Sequence, residues 1–257
     1  MGGGADGGAL SLVLSLFPGI GMLDHGFELE GFTVVRGPDV IWGGDIRTFH
    51  PPPGRFDGII GGDPCQSHSS LANLVRAKGL EPSFPDMTPE YLRVVEEAQP
   101  AWFLRENVPQ APDMKPAGYD VRSFMLCNST LDSGDGTGNE QMRRRRFWFG
   151  VRDGECPELR QWIDFALFEL PDKVTAVGGH DGTCDSINGY RKARDNQTDY
   201  SPPRRDLAEM CRLQGLPPDW LDHQPWTMSA KRKMIGNGVA IPTARALARA
   251  IRCATGT

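Results

Sequence analysis

The stretch that decides the fold is LSLVLSLFPGIGMLDHGFELE, which occupies residues 10–30 of the 257-residue chain. Residues 10–16 form a short apolar run that ends at a proline and a glycine turn, which is typical of a buried β-strand. Residues 21–30 then place apolar side chains at helical spacing. The pattern predicts a strand, a glycine turn and a helix, which together form the first unit of an α/β sheet.

Four more short apolar segments predict further strands of the same sheet. They are residues 33–35, 56–60, 101–104 and 147–151. A helix is predicted over residues 88–98, where Thr88 can cap the helix and Pro89 suits its first turn. Because strands alternate with helices, the sequence predicts an α/β fold.

Glycine-rich or polar segments follow three of the predicted strands at the point where each strand ends. They are residues 17–21, 63–69 and 106–107. Ligands of open α/β sheets bind outside the carboxyl ends of the strands. We therefore expect the three segments to converge on one edge of the sheet.

The second half of the chain is predicted to add two helices and an irregular region. Residues 204–214 predict a helix that Gly215 ends, and residues 241–253 predict an amphipathic helix. Residues 178–203 are rich in Gly, Asp, Asn and Arg and predict a long loop or a small irregular lobe. Residues 173–177 are a candidate strand of the core. The division that we predict is a flexible tail over 1–9, a main domain over 10–152, a small lobe over 153–203 and a C-terminal segment over 204–257 that returns to the main domain.

Composition limits the kinds of protein that this chain can be. Hydrophobic residues make up 39% of it, enough for a sizeable core, and no apolar run approaches the roughly 20 residues of a membrane span. The N-terminus lacks the basic region of a secretory signal. The six cysteines contain no C-x-x-C pair, which argues against a zinc cluster and a disulfide framework. We expect a reduced, cytoplasmic protein with no metal site and no membrane contact.

The charge distribution leaves two interpretations open. The formal net charge of −5 does not indicate nucleic-acid binding, but basic residues cluster late in the chain. The clusters are residues 143–146, then Arg191, Lys192 and Arg194, then 204–205, then 231–233. They form either a locally basic face on an acidic protein or ordinary solvated surface.

Residues at the strand ends are candidates for chemistry. Cys65 follows a predicted strand and a Gly-Gly pair, so it is either a loop nucleophile or an ordinary packed cysteine. Glu106 and Asn107 can present a carboxyl group and an amide to a ligand, or can cap a helix or satisfy a turn. The glycine turn over 17–21 can bring backbone N–H groups to an anionic ligand or can be a plain connection.

Gln141, Arg143 and Arg145 precede an aromatic strand. Strand alternation places these three side chains on one face, with Arg144 and Arg146 on the other. Three polar side chains on one face can hold an anionic backbone and a base edge. The alternative is an edge strand that is protected by charge.

Taken in order, these segments resemble the motifs of the DNA cytosine-C5 methyltransferase family. The matching segments are Phe17-Pro18-Gly19-Ile20-Gly21, Gly44-Asp45-Ile46, Gly62-Asp63-Pro64-Cys65-Gln66 with Ser69, Glu106-Asn107-Val108, Gln141-x-Arg143-x-Arg145, Arg205 with Glu209 and Arg212-Leu-Gln-Gly215, and Gly236-Asn237-Gly238-Val239. Seven motifs in this order are far more specific than any one of them. The resemblance implies a Rossmann-like class I methyltransferase fold with a mixed, mostly parallel sheet, in a compact member with a reduced target-recognition lobe.

The resemblance also implies an activity. A methyl group would pass from S-adenosylmethionine to C5 of a flipped-out cytosine in double-stranded DNA, with S-adenosylhomocysteine as product. Cys65 would attack C6, Glu106 would hydrogen-bond the base, and Asn107 would shape the pocket. The other catalytic residues carried over are Gln66, Ser69, Arg143 and Arg145, of which the two arginines would hold the O2 edge of the base, the catalytic loop or a phosphate. The cofactor-binding residues carried over are Phe17, Pro18, Gly19, Ile20, Gly21, Asp39, Asp45, Ile46, Pro64, Asn237 and Val239.

Two acidic residues depart from the family pattern or its spacing. Asp39 matches the residue that binds the ribose hydroxyls, yet only residues 40–44 separate it from Asp45, the expected partner of the adenine amine. Asp63 stands where the family more usually has an apolar residue or proline. Its carboxylate is expected to raise the pKa of the Cys65 thiol unless it points outward.

The predicted target-recognition lobe is also short for the family. Specificity is therefore expected to be low, or to need the loop over 108–120 or a partner protein. Arg191, Lys192 and Arg194 are the candidates for contacts to DNA phosphates. The expected partner is double-stranded DNA, bound by a monomer of bacterial or phage origin, and a restriction enzyme or another specificity partner is a further candidate.

Three other functions stay open from the sequence. One is a tRNA cytosine-C5 methyltransferase, because some members of the resembled class act on RNA. Another is a weakly active DNA-binding regulatory homologue, which Asp63 favours and the intact Cys65 disfavours. The last is a nicotinamide-linked dehydrogenase, although the chain lacks a G-x-G-x-x-G motif at the matching position.

Overall fold

A six-stranded β-sheet forms the centre of the structure, a computed structural model that describes residues 11–68, 79, 85–177 and 205–256. Its strands are β1 (Leu12–Leu16), β2 (Thr33–Arg36), β3 (Gly58–Gly61), β4 (Trp102–Asn107), β5 (Tyr119–Cys127) and β7 (Arg144–Arg152). Two short strands, β6 (Gln141–Met142) and β8 (Val174–Thr175), pair in a separate sheet. The helices are α1 (Met22–Leu29), α2 (Thr88–Ala98), α3 (Leu207–Leu213), α4 (Met228–Asn237) and α5 (Ile241–Thr255).

The strand order of the main sheet is β2-β1-β3-β4-β7-β5. The first four strands are parallel to one another, and β7 runs antiparallel to both β4 and β5. The predicted α/β fold with a mixed, mostly parallel sheet is therefore confirmed. The chain passes from β1 to β2 on one side and then to β3 on the other, so the strand order reverses next to β1. A crevice for ligands is expected at the carboxyl ends of β1 and β3.

Helical layers cover both faces of the sheet. On one face, Val13 and Leu104 belong to the apolar cluster that includes residues of α1 and α5. On the opposite face, Leu14 and Phe103 pack with residues of α2. Neighbouring residues of one strand point to opposite faces, so each strand contributes to both clusters. Burial on both faces explains why the strands read as near-continuous apolar runs.

A third apolar cluster docks the C-terminal segment on the start of α1. Met22 packs there with Met210 of α3, Ile235 of α4 and Ile241 of α5. The cluster brings the connection between α4 and α5 close to the glycine turn that follows β1. Residues far apart in the sequence therefore meet at one end of the sheet.

Two local predictions need correction. The helix over 88–98 is confirmed, but its N-cap is Met87, and the Thr88 hydroxyl donates to Asp63 Oδ2 instead of capping the helix. The expected core strand over 173–177 is wrong, because only Val174–Thr175 form a strand and they pair with β6. Val177 ends this segment with its N–H donated to Gln141 Oε1, which holds the segment against β6 and away from the main sheet.

Some predictions cannot be compared with the structure. The tail over 1–9 and the loop over 178–203 lie outside the described residues. Within the described ranges, no helix combines the length and the apolar composition that a bilayer crossing requires. The five cysteines in those ranges are free thiols.

Candidate active site

A cavity of about 290 Å³ opens at the carboxyl ends of β1, β3 and β4. Its wall comes from residues within 15–24, 38–47, 61–66 and 233–239, together with Pro85, Met87, Glu106 and Arg145. The three polar segments that were predicted to converge do meet here. They contribute residues 17–20, residues 63–66 and Glu106, respectively.

Most predicted site residues in the described ranges line this cavity. They are Phe17, Pro18, Gly19, Ile20, Asp39, Asp45, Ile46, Pro64, Cys65, Gln66, Glu106, Arg145, Asn237 and Val239. Three of the predicted residues do not line the cavity but contact residues that do, namely Gly21, Asn107 and Arg143. Ser69, Arg191, Lys192 and Arg194 lie outside the described residues.

The lining also includes residues that the sequence did not single out. Among them are Asp24, Val40, Ile41, Arg47 and Met87. The apolar run Val40-Ile41-Trp42 between two acidic candidates is the signal that could have found part of this wall. Asp24 and Arg47 have no comparable signal, because ordinary surface helices and turns carry the same residue types. Lys233, which the sequence marked only as part of the basic cluster 231–233, also lines the cavity.

The turn after β1 adopts backbone conformations that favour glycine. The φ angle is +54° at Phe17, +57° at Gly19 and +77° at Gly21. A non-glycine residue in this region, here Phe17, is characteristic of ligand sites and switch regions. The Gly19 N–H donates to Asp39 Oδ2 at 2.9 Å, and Trp42 Nε1 donates to the Gly19 carbonyl at 2.9 Å. The segment after β2 therefore binds both the N–H and the carbonyl group of Gly19 in the turn.

Asp39 is the residue through which that segment reaches the turn. It caps the 3-10 turn Val40–Trp42, because its Oδ1 accepts from the Ile41 N–H at 2.9 Å. Its Oδ2 accepts from Gly19, so each carboxylate oxygen has a backbone partner and keeps a further lone pair. Asp39 can thus organise the glycine turn and still face a hydroxyl group in the cavity.

Asp45, six residues after Asp39, also lines the cavity. It caps the 3-10 turn Ile46–Thr48 and forms an ion pair with Arg47, whose Nη2 lies 2.7 Å from Asp45 Oδ2. Hydrogen bonds from the Arg47 side chain, and then from its N–H, lower the pKa of Asp45. The carboxylate is therefore ionised at neutral pH and is available as an acceptor for an amine.

A third carboxylate at the cavity wall is buried at the start of α1. Asp24 accepts hydrogen bonds from the Ser15 hydroxyl and from Arg36 Nε, the latter at 3.0 Å. Burial raises the pKa of Asp24, while Ser15 and Arg36 lower it in part. The pair fixes β1, β2 and α1 relative to one another beside the glycine turn.

Cys65 begins a 3-10 turn in the loop after β3, and we refer to residues 62–68 as the Cys65 loop. The thiol is half-buried and lines the cavity. Burial and then the negative charge of Glu106 raise the pKa of Cys65, whereas Arg145 and Arg143 lower it. The thiol therefore lies within electrostatic range of a carboxyl group and two guanidinium groups.

Glu106 is buried at the end of β4, next to the Cys65 loop. Burial raises the pKa of Glu106, and the nearby Arg145 and Arg143 lower it in part. Arg145 Nε lies 2.9 Å from Glu106 Oε1. A Cβ atom at Gly62 would lie only 2.6 Å from Glu106 Oε2, so this close approach requires glycine at position 62.

Gln141 in β6 and Arg143 just after β6 face the interior and contact the C-terminal segment. Both are buried, while Met142 and Arg144 are exposed, so the predicted alternation holds over residues 141–144, whereas Arg145 and Arg146 are both partly buried. Arg143 Nη1 donates to the Val177 carbonyl and its Nη2 to the Gly238 carbonyl, each at 3.0 Å. Arg143 thus secures the backbone beside the cavity and acts on Cys65 and Glu106 through its charge.

Asp63 does not behave as either sequence expectation proposed. It neither points outward nor stands among the main causes of the shifted pKa of Cys65. Its buried carboxylate is paired with Arg105, whose Nε lies 2.6 Å from Asp63 Oδ1. Asn107 Nδ2 donates to the Asp63 carbonyl at 3.1 Å, so Asn107 holds the loop rather than the cavity wall. The expectation was wrong because the sequence does not show that position 105, 42 residues away, supplies a matching charge.

The chain belongs to the C-5 cytosine-specific DNA methylase family, whose pattern matches residues 41–201 and 171–253. Among curated proteins, it is 32% identical over 165 residues to the Type II methyltransferase M.NgoPII of Neisseria gonorrhoeae, covering 54% of this chain and 48% of that protein. It is 29% identical to the Type II methyltransferase M.MthTI of Methanothermobacter thermautotrophicus, covering 93% of this chain and 96% of that protein.

These relatives differ in how much of their own length the chain matches. The chain spans about half the length of curated relatives such as M.NgoPII. The comparison with M.MthTI extends over 329 positions, more than the 257 residues of this chain, so that relative carries segments that this chain lacks. Among solved structures, the Entamoeba histolytica methyltransferase EhMeth has a TM-score of 0.58 at 11% identity, covering 96% of this chain and 99% of that one. At that identity the likeness establishes the fold alone.

Proposed function

We propose that this chain methylates C5 of a flipped-out cytosine in double-stranded DNA, with S-adenosylmethionine as methyl donor and Cys65 as the nucleophile. The observation that carries the proposal is that Cys65, Glu106 and the glycine turn line one cavity. The reaction needs a nucleophile, a group that recognises the base and a site for the methyl donor in one place. Family membership supplies the second line of support.

The residues of the cavity fit S-adenosylmethionine, which supplies an electrophilic methyl group when bound. Phe17, Ile46 and Val239 offer apolar surface for the adenine ring, and Asp39 offers acceptor oxygens for hydroxyl groups. Gln66 also lines the cavity, and its buried Oε1 has no hydrogen-bond partner among the described residues. Such an atom suits a polar ligand, because a buried acceptor without a partner is costly.

Cys65 would start the chemistry on the base. Its thiolate adds to C6, which moves electron density to C5 and makes that carbon able to accept the methyl group. A base, which can be water, then takes the proton from C5, and the electron pair of that C–H bond re-forms the C5=C6 double bond as the C6–S bond breaks and the Cys65 thiolate leaves. The thiol must first lose its proton, and the positive charges of Arg145 and Arg143 favour that loss.

Glu106 would recognise the base during this addition. Burial raises the pKa of Glu106, which makes it easier for the carboxylate to take up a proton when the base binds and then to donate a hydrogen bond to N3 of cytosine. A donor at N3 stabilises the charge that develops in the ring when the thiolate adds to C6. Arg145, which already contacts Glu106, would keep the carboxyl group oriented.

The wider role follows from the same proposal. The names of the Type II relatives favour a restriction–modification system, in which a restriction enzyme with the same target site would be the functional partner. The protein would act on DNA in the bacterial cytoplasm, as a monomer that contacts phosphates through the basic cluster at Arg191, Lys192 and Arg194.

The proposal is tested with labelled S-adenosylmethionine on duplex DNA and on tRNA. We expect label in DNA, none in Cys65→Ser, and full activity in Cys253→Ser, which removes an exposed thiol on α5 far from the cavity. Label in tRNA alone would show that the alternative function, a tRNA cytosine-C5 methyltransferase, is the right one. A Cys65→Ser variant as active as the unmodified protein would exclude the covalent route.

A second measurement identifies the bond and the target. Duplex DNA that contains 5-fluorocytosine should form a stable adduct with the protein, since fluorine at C5 cannot leave as a proton does. Bisulfite sequencing of DNA from expressing cells should then show protected cytosines at one sequence context. Absence of both signals would leave the chain as an inactive member of the family.

A further inference from the structure

Asp63 and Arg105 occupy corresponding places on neighbouring strands. Asp63 lies two residues before Cys65, and Arg105 lies one residue before Glu106. β3 and β4 are parallel neighbours with Gly61 opposite Arg105, so the two side chains meet just beyond the end of β3. The pair therefore connects the chain segments that carry the proposed nucleophile and the proposed base-recognition group.

The contact between the two side chains is buried and directional. Arg105 Nε donates to Asp63 Oδ1 at 2.6 Å, and Arg105 Nη2 donates to Asp63 Oδ2 at 2.9 Å. Both side chains are fully buried. Two parallel hydrogen bonds between a guanidinium and a carboxylate fix orientation as well as distance, which a single ammonium contact does not do.

Two further donors of Arg105 are also bound. Its Nη1 donates to the Pro112 carbonyl at 3.1 Å, and its Nη2 to the Thr88 hydroxyl at 2.8 Å. The Thr88 hydroxyl in turn donates to Asp63 Oδ2 at 3.2 Å. The start of α2 therefore closes the network, and the two charges have no freedom to move independently.

Asn107 holds the same residue of the loop from the same strand. Residues 105 and 107 point to one face of β4 and Glu106 to the other, because strand side chains alternate. Arg105 binds the Asp63 carboxylate and Asn107 binds the Asp63 carbonyl, the latter at 3.1 Å. Arg105 and Asn107, the two residues that flank Glu106, thus both bind Asp63, which lies two residues before Cys65.

Stability alone does not account for such a pair. Replacing a buried ion pair by well-packed apolar side chains is often neutral or stabilising, because both charges lose their hydration when they are buried. The pair therefore offers geometry that an apolar contact at the same place would not offer.

We propose that Asp63 and Arg105 are a positioning pair that sets the Cys65 thiol relative to Glu106. The proposal rests on the proposed function for its catalytic consequence. Neither residue touches the base, and each acts through the Cys65 loop and β4. A displacement of about 1 Å at a reacting group can lower a rate by about 100-fold, so a small shift at Asp63 has a large expected effect.

The test compares the same substitution, arginine to lysine, at two residues that contact the same aromatic ring. Arg105 and Arg146 both place Cζ 4.7 Å from the centre of the Trp148 ring, but Arg146 pairs with Asp113 instead of with the Cys65 loop. Arg105→Lys keeps the charge and loses the two parallel hydrogen bonds to Asp63, whereas Arg146→Lys keeps the charge and loses the single contact between Nη2 and Asp113 Oδ1. We expect kcat to fall about 100-fold in Arg105→Lys with little change in the KM for S-adenosylmethionine, and no change in Arg146→Lys.

A second readout does not depend on methyl transfer. The rate of Cys65 alkylation by iodoacetamide, followed by peptide mass spectrometry across pH, reports the pKa of the thiol. We expect this pH profile to shift in Arg105→Lys and in Asp63→Asn, because the distances from the thiol to Glu106, Arg145 and Arg143 change. Arg146→Lys should reproduce the profile of the unmodified protein.

A double variant distinguishes unfolding of the protein from displacement of the Cys65 thiol. Asp63→Leu with Arg105→Met removes both charges, and we expect it to unfold at a temperature close to that of the unmodified protein yet to remain slow. A double variant with unchanged kcat and an unchanged alkylation profile would overturn the proposal. If the unmodified protein methylates neither DNA nor tRNA, the proposed function fails, while the alkylation profiles still decide whether the pair positions the thiol.

Discussion

At the scale of single residues, Gly62 marks the closest approach between the Cys65 loop and β4. A Cβ atom there would lie 2.6 Å from Glu106 Oε2 and 3.2 Å from the Glu106 carbonyl oxygen. Gly62→Ala must therefore displace the Glu106 carboxyl group or the loop. We expect kcat for methyl transfer to fall about 100-fold, measured with labelled S-adenosylmethionine at saturating DNA.

A matched substitution shows whether the contact matters. Gly154 has nothing within 4 Å of the corresponding Cβ position, so Gly154→Ala should leave kcat and the circular dichroism spectrum unchanged. Gly62→Ala should also keep its circular dichroism spectrum. An unchanged kcat in Gly62→Ala would mean that the tight contact does not set the geometry of the site.

The charges around Cys65 predict how its reactivity depends on pH. Burial and Glu106 raise the pKa of the thiol, and Arg145 and Arg143 lower it. Removing a neighbouring negative charge makes the thiolate easier to form, and removing a positive charge makes it harder. We expect the alkylation profile of Cys65 to move to lower pH in Glu106→Gln and to higher pH in Arg145→Gln.

Both shifts are needed for this prediction to hold. Cys253, which is exposed on α5, provides an internal reference because its alkylation profile should not move in either variant. Profiles of Cys65 that coincide with that of the unmodified protein would show that the charges of Glu106 and Arg145 do not reach the thiol. Methyl transfer should be lost in Glu106→Gln even though its thiol ionises more easily.

Single residues also show where sequence reasoning stops. Cys65 and Glu106 could be predicted as neighbours, because both follow strands whose carboxyl ends meet at one edge. The pairing of Asp63 with Arg105 could not, since the two residues are 42 positions apart and each alone resembles a surface charge. A buried charge is visible in a sequence only through its partner, and the partner is known only from the fold.

At the scale of elements, Gln141 ties β6 to the C-terminal segment. Its Nε2 donates to the Leu213 carbonyl at 2.7 Å and to Gln214 Oε1 at 3.1 Å, while its Oε1 accepts from the Val177 N–H. Gln141→Met would leave these buried groups without partners. We expect the free energy of unfolding to fall by about 2 kcal/mol, measured by chemical denaturation.

The adjacent residue provides the control for that prediction. Met142 lies on the exposed side of β6, so Met142→Gln should change the free energy of unfolding by less than about 0.5 kcal/mol. Equal stability of the Gln141→Met variant and the unmodified protein would show that water replaces the lost hydrogen bonds.

Two elements were missed from the sequence, and each has a physical reason. β5 lies at the edge of the sheet, and its exposed Arg122 and Ser123 interrupt the apolar pattern. α4 buries only Lys231, Ile235 and Gly236, so it leaves no apolar stripe in the sequence. The buried strands and α5 were predictable because they present apolar side chains at a regular period.

At the scale of the whole molecule, ligand binding should be visible as stability. A ligand that binds only the folded state at about 100 times its dissociation constant adds about 2.7 kcal/mol to the free energy of unfolding. We expect S-adenosylhomocysteine to raise the thermal midpoint accordingly, and NADH at the same concentration to leave it unchanged. Stabilisation by NADH alone would favour the dehydrogenase alternative and remove the basis for a methyl-donor site.

The class of the fold could be predicted from the sequence, but the order of the strands in the sheet could not. Alternating strands and helices indicate an α/β fold, and the glycine turn locates its ligand edge. The insertion of antiparallel β7 between β4 and β5 is a matter of long-range pairing, which no local pattern in the sequence records. The same holds for the C-terminal wall of the cavity, where Asn237 and Val239 were placed by resemblance and not by periodicity.

That C-terminal wall has a consequence for the timing of biosynthesis. The cavity wall includes residues 233–239 as well as the turn at Phe17–Gly19, which is synthesised much earlier. A nascent polypeptide on the ribosome therefore contains Cys65 long before the pocket around it can close. Translation products that end before α4 lack one part of the cavity wall, and we therefore expect them not to bind the proposed methyl donor.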